Sequence, residues 1–260
     1  LGWTSATVLA AIGLGIAVLA AFVRYQLRAR APMLPMRFFR SRGFSSTNAL
    51  SFAMFFGTFG SIFLLSQFFQ TAQGYGPLEA GLRTLPWTAM PMIVAPIAGV
   101  LGARIGTRPL MATGLALQAI ALAWIAVVST PSTAFGELIV PFVLAGTGMA
   151  LVFPTAAEAV LASVRPQEAG KASGATNAIR EIGGVMGVAV LASVFAAKGG
   201  YESPQAFTDG LVAALPIAVV VLAAGAVLAL LAPRRAPASE AGDPGQDAVP
   251  AAGREVPEAA

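Results

Sequence analysis

The sequence predicts an all-α, polytopic membrane protein with seven transmembrane helices, and three observations carry that expectation. Hydrophobic residues make up 57% of the 260 and charged residues 11%, against about a quarter charged in soluble domains. Mean hydropathy is +0.76. Seven runs, at 5–23, 45–69, 84–102, 109–129, 137–160, 174–197 and 210–232, are apolar enough and close enough to the roughly 20 residues that a spanning helix needs. They are too long and too continuously apolar for barrel strands, which alternate over about ten residues. Threading the runs back and forth also sorts the charge. Arg24, Arg28, Arg30, Arg37, Arg40, Arg42, Arg104, Arg108, Arg165, Lys171, Arg234 and Arg235 fall on one side, and Arg83 and Lys198 on the other with Glu79, Glu137, Glu202 and Asp209. The basic side is expected to be cytoplasmic, which puts the N-terminus outside and the C-terminus inside.

Each element has its own signature. The chain opens Leu1-Gly2-Trp3 without an initiator methionine, so a fragment is expected. Arg24, Arg28 and Arg30 follow the first run rather than precede it, the reverse of a signal peptide, so 5–23 reads as a retained span. The connection 24–44 is a basic loop whose LPMRFFRSRGF portion suits the inner headgroup surface, or is simply an ordinary basic loop. The second run carries Gly57, Gly60 and Ser61 as a small-residue face for close helix contact. Pro86, Pro91 and Pro96 recur at intervals of five in the third, which should bend or loosen it. Pro154, after Gly146 and Gly148, permits a bend in the fifth, either at a binding site or as a packing kink. Gly183 and Gly187 give the sixth run a GxxxG packing face. Beyond 232 the sequence is rich in Ala, Pro, Gly and Glu, so 233–260 is expected to be a disordered cytoplasmic tail.

Composition excludes several chemistries. With no cysteine or histidine, disulfides, thiol catalysis and the usual zinc or haem ligands are ruled out. No enzyme activity, metal or cofactor is expected. The basic residues are scattered between apolar runs rather than clustered on a polar face, so nucleic acid is not a partner. AGKASG lacks the spacing of a phosphate-binding loop, and no strand precedes it.

The stretch from Gly146 to Gly187 is the most informative. Glu158 lies in the fifth run, and Arg180 and Glu181 in the sixth. A charge inside the hydrocarbon costs at least about 2.5–3.5 kcal/mol and usually faces a partner or a wet path. From the run boundaries, Glu158 and Arg180 should both lie roughly 7–9 Å below the inner surface, within reach of an ion pair. Either Glu158 takes part in proton coupling or inner gating with Arg180 tuning it, or the two form a static pair or snorkel to the headgroups. Glu181 points about 100° away from Arg180 and should reach the interface. In the second run, Asn48, Phe52, Phe55, Phe56, Phe59 and Phe63 recur at helical spacing and lead to Gln67 and Gln70. Such a stripe fits bulky lipophilic or cationic compounds, or faces lipid. Glu79 and Arg83 stand at i,i+4 as a surface pair.

The segment QTAQGYGPLEAGLRTLP (70–86), the loop GARIGTRP and the run from GTGMALVFP to AGKASGATNAIREIGGVMG resemble the C-terminal half of a major facilitator superfamily transporter, in its fourteen-helix drug:proton antiporter branch. The resemblance implies that 1–23 is a transmembrane linker helix and 45–232 a six-helix C-terminal domain. It further implies proton-coupled export of lipophilic or cationic drugs by alternating access, driven by the proton gradient without a cofactor. An endogenous metabolite, lipid or siderophore as cargo, or a non-transporting scaffold, are the alternatives. The expected partners are small substrates, protons, the lipid bilayer and the missing N-terminal domain of the same protein. Glu158 and Arg180 become coupling or gating candidates. Asn48, Phe52, Phe56, Phe59, Phe63, Gln67 and Met149 become cavity candidates, and Pro154 the bend. One departure stands out: Ala103 occupies the position where the family's loop between its second and third helices often has an aspartate, ahead of Arg104, Gly106 and Arg108.

Overall fold

In hydrocarbon a backbone must satisfy its own N–H and C=O groups, so each apolar run closes into helix. A computed structural model describes residues 5–29 and 32–231 of the chain, and those residues contain helices and no strand. The helices are α1 (Ala6–Arg28), α2 (Arg42–Gln67), α3 (Pro77–Thr88), α4 (Met90–Ile105), α5 (Thr107–Val128), α6 (Phe135–Leu161), α7 (Ala169–Lys198) and α8 (Pro204–Leu231). A π-turn over Phe68–Ala72 extends α2, and α3 and α4 together make one of the seven helical stretches among the described residues that are long and apolar enough to cross a membrane. The tail 233–260 lies outside the described residues.

The break between α3 and α4 falls at Ala89, among the prolines. Pro91 has no N–H to offer the carbonyl of Trp87 four residues back. That carbonyl instead lies against Gly146 of α6, where a Cβ would collide with it. The glycine therefore fills a place that the proline opened.

Side-chain contacts fix the alternation of the spans. At the basic end, Arg108 at the start of α5 donates from Nε to the Ala229 carbonyl near the end of α8 (3.2 Å), which suits a cation at a helix C-terminus. Lys171 of α7 donates to the Pro32 carbonyl (2.8 Å) and Arg37 pairs with Glu168, so the segment before α2 meets the α6–α7 turn. At the other end Gln73 donates to the Thr133 carbonyl (2.8 Å) and Tyr201 to Gln67 Oε1 (2.7 Å). Gly106, with φ 88°, makes the tight reversal between α4 and α5 that a side chain would strain.

The main core runs through α2, α5, α6, α7 and α8, with Leu64, Leu115, Leu122, Phe142 and Leu215 fully enclosed. Apolar area alone does not hold helices together in lipid, so close backbone approach does much of the work. On α7, Gly183 lies against the backbone of Phe52 and Gly187 against that of Phe56, both on α2. The GxxxG spacing is thus a packing face. In contrast α1 is exposed along its length, with Gln26 as its buried residue.

The connection before α2 packs against the bundle. Met36–Arg40 forms a 3-10 turn, and Phe38 and Phe44 are buried against Val160, Ala172 and Ala175 of α6 and α7. Phe39 remains exposed. The phenyl groups find protein before they find lipid, because the small residues opening α7 leave room for them.

Candidate functional site

The buried stripe of α7 reads Ala172, Ala175, Thr176, Arg180, Gly183, Gly184, Gly187, Leu191, Phe195. These positions share one face at steps of three and four. Eight of nine are small or apolar, and the ninth is an arginine that is 6% exposed. Beside it, Gly183 and Gly184 lie against Phe52 and Phe59 of α2.

Arg180 is held by aromatic groups. Its guanidinium carbon lies 4.6 Å from the ring centre of Phe153 on α6 and 5.7 Å from that of Phe55 on α2. Nη2 donates to the Phe153 carbonyl at 3.4 Å, while the buried Nε has no hydrogen-bond partner. The rings stack in turn: Phe55 on Phe59 at 5.2 Å and Phe55 on Phe153 at 6.3 Å. Phe59 and Phe153 are nearly half exposed, at 45% and 42%, whereas Phe55 is enclosed. Each cation–π contact offsets roughly 0.5–2 kcal/mol of the cost of burying the charge.

Glu158 sits elsewhere on α6. Its carboxylate lies beside Gly102 of α4, where an added Cβ would meet Oε2 at 3.4 Å. Phe153 is the residue of α6 that Arg180 touches, and it precedes Glu158 by five positions, about 7.5 Å along the axis and some 140° around it. Glu181 is exposed.

The α2 stripe divides. Asn48 is buried and donates to the Phe44 carbonyl (2.9 Å), leaving Oδ1 without a partner. Phe52 and Phe56 pack towards α7 at the glycine crossing. Phe63 is exposed, and Gln67 is held by Tyr201. Met149 is half-buried against the main core. Pro154 lies within α6, which runs unbroken through it, and the Thr155 hydroxyl turns back to the Leu151 carbonyl. Of the candidates, Phe59 and Arg180 share one cluster, completed by Phe55 and by Phe153. Phe153 is the residue that sequence reasoning passed over. An aromatic directly before Pro154 was the available signal.

Three further features are away from this cluster. Arg83 lies between Tyr75 (3.7 Å) and Phe135 (5.0 Å) while pairing with Glu79 (2.8 Å), which makes it a bracket between α3 and α6 rather than a loose surface pair. A cleft of about 420 Å³ opens between the ends of α5 and α8, lined by Ser129, Pro131, Gln205 and Asp209 among others. Among the described residues no three His, Cys, Asp or Glu side chains group as metal ligands.

Comparison with known proteins gives a consistent result. The sequence pattern of the Major Facilitator Superfamily matches residues 1–188 and, in a second register, 47–256. Multidrug resistance protein Stp of Mycobacterium tuberculosis is 34% identical over 197 residues, 76% of this chain and 36% of its own length. The multidrug efflux pump LfrA of Mycolicibacterium smegmatis is 33% identical over 193 residues, 74% of this chain and 38% of its own. The tetracenomycin C resistance and export protein of Streptomyces glaucescens is 28% identical over 208 residues, 80% of this chain and 38% of its own. The chain thus spans little more than a third of the length of these relatives.

Proposed function

The chain belongs to the major facilitator superfamily, and we propose that it serves proton-coupled export of lipophilic small molecules by alternating access. It is a multi-pass membrane protein whose relatives are transporters for drugs and antibiotics. The observation that carries the proposal is the cluster of Arg180, Phe55, Phe59 and Phe153. It places a buried charge among stacked rings, two of them open. Such a site gives a flat apolar compound area to stack on and one fixed charge to orient it. Glu158, beside Gly102 at the α4–α6 contact, is the carboxylate proposed to carry the proton. The remaining wall of the cavity is assigned to the N-terminal domain of the same protein, and the basic end of the bundle to the cytoplasm.

A second reading keeps transport and makes the cargo an endogenous product, since relatives carry the names tetracenomycin C resistance and export protein and probable actinorhodin transporter. Efflux of a neutral lipophilic dye, Nile red, from cells making the full-length protein, with and without an uncoupler, tests the first reading. Efflux that stops with the uncoupler is expected. Efflux that continues unchanged removes the proton coupling, and none at all leaves the endogenous product as cargo.

A further inference from the structure

We infer that Arg180 makes this site selective for planar aromatic anions, such as aromatic carboxylates, over cations of the same shape; the inference rests on the export reading above and narrows its substrate class. Three observations lead there. The fixed charge of the site is positive, because a guanidinium stays protonated. Its Nε is a buried donor with no hydrogen-bond partner, and its guanidinium carbon lies close to the ring centres of Phe153 (4.6 Å) and Phe55 (5.7 Å). Phe153, which lies over it, and Phe59, which stacks on Phe55, are 42% and 45% exposed.

An incoming aromatic ring extends the stack that Phe59, Phe55 and Phe153 begin. An acid group on that ring then reaches the guanidinium, where a carboxylate accepts paired charge-assisted hydrogen bonds. A cationic ring of equal size gains the same stacking and meets a like charge in a low-dielectric setting, which weakens it. The nearby acids do not reverse the sign. Glu181 projects about 100° around α7 from Arg180 and is exposed. Glu158 is displaced by five residues along α6 from Phe153 and lies beside Gly102 of α4.

The test uses everted membrane vesicles from cells making the full-length protein, energised and supplied with three fluorescent anthracenes that differ in charge. These are 9-anthracenecarboxylate, 9-anthracenemethanol and 9-(aminomethyl)anthracene, with ethidium as a fourth compound. The wild-type protein is expected to accumulate the carboxylate about tenfold faster than the amine, the discrimination that one good charged contact supplies. Arg180→Gln brings that ratio to about one, and Arg180→Lys, which keeps the charge but not the fork, restores part of it. If Arg180→Gln does not reach the membrane, the wild-type ratio alone decides. Transport of the amine or ethidium without the carboxylate overturns the inference and leaves the exporter standing. A ratio that Arg180→Gln does not move also overturns it. Transport of none of the four compounds overturns the inference together with the reading of general lipophilic export, and leaves an endogenous product as cargo.

Discussion

The carbonyl of Phe56 lies directly against the Cα of Gly187, so that α2 and α7 meet backbone to backbone. A methyl at position 187 has no free direction, because what it meets is main chain and not the end of a side chain. Gly187→Val is therefore expected to lower stability by about 1–3 kcal/mol, the usual cost of overpacking. Gly174→Ala, whose added Cβ meets nothing within 4 Å, should be neutral or better. Thermal unfolding in detergent, followed by the fluorescence of the tryptophans, compares the two.

Thr58 of α2 donates to Gln118 Oε1 of α5 at 2.8 Å, and both residues are buried. Thr58→Val keeps the shape and strands the amide oxygen, which should cost about 1 kcal/mol. Adding Gln118→Leu removes the stranded group as well. The double variant is expected to recover part of the loss, and a double-mutant cycle by thermal melting measures the coupling.

Glu168 takes hydrogen bonds from Arg165 (3.1 Å) and from Arg37, and the second of these ties the segment before α2 to the α6–α7 turn. Glu168→Gln should loosen that segment and speed tryptic cleavage at Arg40 and Arg42. Raised salt should do the same to the wild type, because exposed charges are screened. Cleavage rates that respond to neither change would show that Phe38 and Phe44 hold the segment alone.

Glu158→Gln preserves shape at the Gly102 contact and removes the ionisable proton. It is expected to leave the protein inserted at normal abundance while abolishing pH-driven export. Phe59→Ala, in contrast, should keep coupling and change which compounds are carried. Normal rates for Glu158→Gln across pH would remove Glu158 from the proton path.

The spans, the proline break and the glycine crossing were legible because each depends on one local rule: run length, a missing N–H, or a missing Cβ. Pro86, Pro91 and Pro96 announce the interruption at Ala89, and Gly183 and Gly187 announce contact with α2. The ring cluster around Arg180 was not legible, because it depends on which residues of α2 and α6 face α7. Phe153 was missed for a related reason. A phenyl in an apolar run looks like any lipid-facing residue until a neighbouring helix delivers a guanidinium to it. Phe38 shows the converse, since its burial comes from α6 and α7 and nothing in its own segment encodes it.

A span short of one hydrogen bond need not come apart. Ala89 keeps helical dihedrals (φ −84°, ψ −23°), and the Trp87 carbonyl that Pro91 cannot serve is accommodated at Gly146 of α6. Restoring an N–H at 91 or adding a side chain at 146 would thus act on the same contact from its two sides.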